Sequence, residues 1–294
     1  MDFLLSPCAA RLRAAAVALL LIALFECRIG ELGAQPPKKR GPYEAESGGV
    51  RDVRSTHFLL HTDLSGREAE ERVERLETML RLISTYWGRP MQGVIECYVV
   101  RDLDAFPQAG MSPAGVSAIR TCGGVTLMRT VSDGRRYLAK SVVYANDRPE
   151  VVQHEAVHAY CHHTFGQTGP VWYSEGMAEM GHYWSETDLA VRAPSRETRF
   201  LREHPPKSIQ ETLSPFQVSG DSWQNYASRW ALCHFLAHNP NYSEQFLSLG
   251  RGLLGGRSVT FEQTYARVAR ELALEYYLFL EHICPGYRVD LCTI

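Results

Sequence analysis

No two of the chain's eight cysteines stand in CxxC spacing, no glycine-rich phosphate loop follows a strand-like run, and no segment repeats. CxxC metal and redox sites, a P-loop and repeat architectures are thereby set aside. Charge of one sign is lacking too: 31 Lys and Arg against 33 Asp and Glu leave a net charge of -2. That balance gives no electrostatic case for a nucleic-acid partner. The basic run Lys38-Lys39-Arg40 is short and adjoins Pro36-Pro37, which suits a solvated linker. Nor is there a long hydrophobic run. The apolar stretch Ala14 to Phe25 follows Arg11 and Arg13 and is too short to span a bilayer comfortably, but it suits the core of a signal peptide.

Residues 1–34 are therefore expected to be a leader, with small residues Gly33-Ala34 offering cleavage before Gln35. Glu26 before Cys27 makes a poor lipobox, and a lipidated or signal-anchored form stands as the alternative. The expected location is extracytoplasmic, periplasmic or secreted, with no membrane contact beyond the leader. Residues 35–49 hold prolines, glycines and charges with almost no apolar side chain and are expected to be a flexible linker. The remaining 50–294 belong to a chain 45% hydrophobic and 22% charged, a composition that can bury one large core or two lobes around a cleft. Without Cys8 and Cys27 of the leader, six cysteines remain, and export favours disulfides. The expected pairs are Cys97 with Cys122 and Cys284 with Cys292, with Cys161 to Cys233 a further pairing.

Along the chain, strands are expected at 56–62, 94–100, 115–120, 124–130 and 141–144, with an amphipathic helix over 65–87 between the first two. Helices follow over 148–165 and 174–184, then 226–237, 242–249 and 261–282; residues 185–222 read as a surface insertion beside the cleft. The order is α+β: a small N-terminal mixed sheet with helices over about 50–166, then a mainly helical lobe over about 167–294.

The informative stretch is QHEAVHAYCHHTFG at 153–166, followed by WYSEGMAE at 172–179. Residues four apart on a helix lie one above the other, so His154 and His158 aim two imidazoles at one point, half of a zinc site. Glu155 lies about 100° around the helix from His154, where it suits a general base acting on a metal-held water. A catalytic zinc wants three protein ligands and one open position, and a carboxylate on a second helix makes Glu175 the third. Gly166, Gly169 and Pro170 supply the turn between the helices. Glu179, one turn after Glu175, is placed to accept the free N–H of a ligating imidazole. Cys161 and His162 are lesser rivals for ligation.

HEAVH followed by PVWYSEGMAE resembles the gluzincin zinc metallopeptidases, and most closely the uncharacterised secreted bacterial gluzincin-like domains with a P-x-W-x-x-EG-x-AE segment after the HExxH helix. The match covers about residues 150–236. The ligand spacing is shorter than in the aminopeptidase branch, and no GAMEN-like segment precedes the helix. The resemblance implies a thermolysin-like architecture, Zn2+ held by His154, His158 and Glu175, Glu155 as base, and a peptide or protein substrate. It also implies a Tyr or His downstream that stabilises the oxyanion; Tyr226 is the candidate, with His234 and His238 as rivals. The competing expectation is an exported binding or scaffold domain that keeps this architecture and the zinc without cleaving.

Overall fold

The sheet begins with a strand absent from the expectations above. In this computed structural model, which describes residues 49–132, 137–185, 189–214 and 216–291, β1 (Arg51–Arg54) runs antiparallel to β2 (Phe58–Thr62), with Arg51 opposite Thr62. The leader expected at 1–34, almost all of the expected linker and Cys292 lie outside the described residues. Helix α1 (Gly66–Trp87) then carries the chain to β3 (Ile95–Val100), parallel to β2. Ser65 starts α1 because its hydroxyl accepts the Glu68 N–H while the Glu68 carboxylate accepts that of Ser65, a reciprocal cap that satisfies two orphan donors.

Helix α2 (Pro113–Thr121), β4 (Gly124–Ser132) and β5 (Tyr137–Asn146) complete the order β1-β2-β3-β5-β4, with β5 parallel to β3 and antiparallel to β4. Residues 115–120, expected as a strand, are helical. Pro113 occupies a first-turn position where its missing N–H costs nothing, and Gly115 and Ile119 share the buried side at a spacing of four.

Alternation along the strands divides two apolar clusters. Ile95, Cys97 and Val99 face the main core with Val143, Ala145 and the α1 residues Leu76 and Leu80. Tyr98, Val100, Val142 and Tyr144 face the other way, onto Phe106, Met111 and Ile119 of α2. This overturns the Cys97–Cys122 pairing: Cys97 points into the main core, whereas Cys122 ends α2 on the opposite face, so the sheet stands between them. Cys97, Cys161, Cys233 and Cys284 all carry free thiols.

Helices α3 (Pro149–Phe165) and α4 (Val171–His182) follow, then α5 (Ser195–Glu203) and α6 (Ile209–Leu213) within the expected insertion. The chain continues through α7 (Trp223–His238), α8 (Ser243–Leu254), α9 (Phe261–Tyr265) and α10 (Ala269–His282), the last two replacing one expected helix. The described chain is thus mixed α and β, with ten helices around a five-stranded sheet. No described helix is long and apolar enough to cross a membrane.

Helix α4 is held between α3 and α7 by two glycines on different sides. A Cβ on Gly181 would fall 2.6 Å from Val157 Cγ2 on α3; one on Gly176 would fall 2.4 Å from Cys233 Sγ and 2.8 Å from Arg229 O on α7. The same contact explains why Cys161 and Cys233 do not pair: Cys161 lies on α3, and Cys233 packs its sulfur on the far side of α4. From α1, Arg75 donates to Gln153 Oε1 at 2.5 Å and Trp184 O at 2.8 Å, and Gln153 Nε2 donates to Gly181 O at 2.6 Å. One polar network thereby ties α1, α3 and the end of α4.

Two measurements check this packing. Gly176→Ala is expected to cost about 1–3 kcal/mol in denaturant unfolding, because the methyl must push apart backbone as well as a side chain; an unchanged midpoint would show that α4 and α7 are not in this contact. Arg101 donates to both Glu68 carboxylate oxygens, at 2.9 and 3.1 Å, and holds that carboxyl down at about 2 against the burial that raises it. A depressed carboxyl stabilises the fold above its unfolded pKa of about 4.5 and loses that contribution as pH falls toward about 2. Wild type should lose more stability than Glu68→Gln between about pH 5 and 3, by under about 1 kcal/mol because the pair is partly exposed.

Candidate metal centre

Proline at a first-turn position starts α3, and Gly166 ends it in the left-handed region at φ 76°. Gly169, at φ 84°, and Pro170 reverse the chain into α4. This hairpin brings the α3 imidazoles against the α4 carboxylates.

His154 Nε2 and His158 Nε2 lie 3.1 Å apart; Glu175 Oε2 lies 3.3 Å from the first and 3.4 Å from the second. The three atoms form a nearly equilateral triangle. A tetrahedral cation bonded at about 2.0–2.1 Å has its donors about 3.3 Å apart, so the triangle fits one face of such a shell. Glu175 is 4% exposed, yet its Oε2 has no hydrogen-bond partner. A buried carboxylate oxygen without a donor is costly, and a cation at the triangle would satisfy it. These three residues are one of two groups among the described residues that could hold a metal ion.

The second group shares His154 and adds Glu179 and His182. Glu179 Oε1 lies 2.9 Å from His154 Nδ1 and 3.7 Å from His182 Nδ1. The first distance is within hydrogen-bond reach though not aligned for it. Glu179 is 5% exposed and stands behind the His154 ring, the place expected for a carboxylate orienting a ligand. His182 belongs to no motif in the sequence and is brought in by the fold alone. Neither Cys161 nor His162 enters either group.

The charges are interdependent. Burial penalises the Glu175 carboxylate, but positive charge on His158 and His154 beside it outweighs that penalty and holds the group well below the carboxylate range. Burial likewise disfavours charge on His154, yet Glu175 and Glu179 together raise it well above the ordinary imidazole value. The two carboxylates thus demand a positive charge between them. A proton on His154 supplies one, and a divalent cation supplies more while leaving the imidazole free to ligate.

Glu155 is 8% exposed and points toward the sheet edge. The Thr126 hydroxyl lies 2.9 Å from Glu155 Oε2 and 2.7 Å from its backbone oxygen. Gly124 backs against the same side chain, so that a Cβ there would fall 3.2 Å from Glu155 Cγ. β4 is therefore the floor under Glu155. On the other side of the triangle, Ser174 Oγ sits 3.3 Å from His158 Nδ1. Thr126 carries no sequence signal, being one hydroxyl in a strand; Ser174 is visible in the sequence only as the residue before Glu175.

Tyr226 comes from α7, its ring centroid 6.0 Å from that of His154. Its hydroxyl accepts the Gly220 N–H at 2.8 Å and also hydrogen-bonds the Ser219 side chain, which orients the oxygen. Burial, reinforced by the Glu175 charge, raises its pKa and keeps it protonated. Fully buried Arg229 holds this loop in place, with its guanidinium on both Asp221 oxygens at 2.5 and 3.2 Å and over the Tyr226 ring at 5.3 Å. The rival His234 belongs to a different wall, where its ring stacks on Phe279.

Removing one donor of the triangle should abolish tight binding: His158→Ala and Glu175→Ala are expected to lose metal on gel filtration. Glu179→Gln should retain it with affinity lowered about 10–100-fold. Full occupancy in Glu175→Ala would move the centre to the Glu179 and His182 group. Compared with known proteins, the chain matches no family model and none of the curated proteins.

Proposed function

We propose that the chain is an exported zinc-dependent peptidase of gluzincin type, with the two-helix arrangement of the thermolysin-like enzymes. The observation that carries this reading is the triangle of His154 Nε2, His158 Nε2 and Glu175 Oε2, with a second carboxylate, Glu155, one residue along α3 from His154. Two nitrogens and one oxygen leave the fourth corner of a tetrahedron open, the pattern of a catalytic rather than a structural site. Bound there, zinc supplies Lewis acidity that lowers the pKa of a held water from 15.7 toward about 7 and polarises a carbonyl.

The chain's own residues account for the proton movements. Glu155 takes the proton of the attacking water and later delivers it to the leaving amine, so that the amine departs neutral. Thr126 fixes which way that carboxylate faces. Tyr226 donates its phenolic hydrogen bond to the oxygen on which negative charge builds. Glu179 keeps the His154 ring turned so that Nε2 faces the triangle.

A peptide substrate suits the sheet edge. β4 pairs with β5 on one side and with no described strand on the other. An extended peptide added along that free edge would run past Gly124 and Thr126, and so past Glu155. Export rests on the leader-like residues 1–34, outside the described residues; the free thiols lend it no support.

Zinc content and cleavage of an unfolded protein, measured on wild type and Glu155→Gln, test the reading. Wild type should hold one zinc and cleave, whereas the variant should hold zinc and not cleave. Zinc without cleavage in the wild type would favour a binding or scaffold domain, and absence of zinc would remove the centre altogether. Tyr226→Phe should keep zinc and lower turnover on the order of a hundredfold or more; wild-type turnover would assign the oxyanion to another donor.

A further inference from the structure

Tyr226, at the start of α7, is held from outside its own helix: its hydroxyl reaches back to the Gly220 N–H at 2.8 Å and to the Ser219 side chain. Both oxygens of the next residue, Asp221, are taken twice. Oδ1 accepts from the Ser222 N–H at 2.7 Å and from Arg229 at 3.2 Å, and Oδ2 from Arg229 at 2.5 Å and from Asn225 Nδ2 at 2.7 Å. Lys207 donates to Asn225 Oδ1, which extends the network to the segment before α6. Fully buried Arg229 also donates through Nε to Gln217 Oε1 at 2.8 Å and stands 5.3 Å over the Tyr226 ring. The contacts close a ring, from Tyr226 to Gly220, along the chain to Asp221, across to Arg229, and back to Tyr226 three residues earlier on the same helix face.

We propose that Asp221 is a positioning residue for the peptidase reaction, fixing the Tyr226 hydroxyl through Ser219 and Gly220. The role rests on the reading of Tyr226 as the donor to the developing oxyanion. Stability alone does not call for this arrangement, because well-packed apolar residues of similar volume hold a buried site as well as an ion pair does. What the pair adds is geometry. A guanidinium fork on a carboxylate that takes four hydrogen bonds has few alternative arrangements, so the backbone one residue away is fixed with it. A donor needs that precision, since a misplacement of about 1 Å can cost about a hundredfold in rate. Among the described residues, the hydrogen bonds of the Asp221 carboxylate run to Ser222, Asn225 and Arg229. None of these belongs to the metal triangle, so the influence of Asp221 on turnover has to pass through Tyr226.

A double-mutant cycle on the full zinc-loaded chain separates positioning from structural support. With fluorescein-labelled casein as substrate, Asp221→Asn is expected to lower kcat about tenfold, less than the loss of the Tyr226 hydroxyl itself, with KM and zinc content unchanged. In the Tyr226→Phe background the same substitution should have no further effect, because no hydroxyl is left to position. Amide exchange over residues 217–221, read by mass spectrometry, should quicken in Asp221→Asn, and this readout needs no activity. If the unpaired Arg229 charge prevents folding, Asp221→Asn combined with Arg229→Met removes both charges and should give the same pattern. Equal losses in the two backgrounds, unchanged kcat, or exchange at the wild-type rate would overturn the role. A wild type that holds zinc and cleaves nothing would overturn the peptidase reading itself, and the positioning role with it.

Discussion

A single buried oxygen, Glu175 Oε2, organises the centre of this protein. It sits 3.3 and 3.4 Å from two imidazole nitrogens and takes no hydrogen bond. In a low-dielectric interior, such an atom persists only where positive charge compensates it. The surrounding groups are arranged around that demand: Glu179 behind His154, Ser174 behind His158 and Tyr226 beside the His154 ring. The pKa shifts of Glu175 and His154 in opposite directions express the same requirement.

Holding three donors within a few tenths of an ångström of a common spacing requires rigid helices in close contact. Gly181 lets α4 approach α3, and Gly176 lets α7 approach α4, so residues from three helices meet within a few ångströms. The Arg75–Gln153 network pins the first two from α1, and Arg229 pins the loop that orients Tyr226. The sheet's part is different. Through Thr126 and Gly124, its edge strand sets the direction of Glu155, so the β4 edge, with no partner strand among the described residues, lies beside the proposed base.

Much of the centre is legible in the amino-acid sequence, and the reason is helical geometry. A spacing of four fixes relative direction on a helix, so His154 with His158 and Glu175 with Glu179 can be paired by counting. The Gly169-Pro170 turn indicates that the two helices fold together, and the structure gathers His154, His158 and Glu175 into one group with Glu179 behind the His154 ring. Contacts between distant elements leave no comparable mark. The Thr126 hydroxyl on Glu155 joins residues 29 apart and has no periodic signature. The disulfide expectation fails for a related reason: an even count of cysteines says nothing about which face of a sheet or helix each occupies, and Cys97 and Cys122 occupy opposite faces. The short apolar run at 115–120 misleads because strand and helix patterns differ little over so few residues, and Pro113 decides the outcome.

Anomalous diffraction from crystals grown with zinc would locate the ion. One strong peak is expected at the zinc edge, about 2.0–2.2 Å from His154 Nε2, His158 Nε2 and a Glu175 oxygen, with Glu179 at hydrogen-bond distance from His154 Nδ1. A peak held by Glu179 and His182 instead, or no peak at this triangle in zinc-saturated crystals, would contradict it.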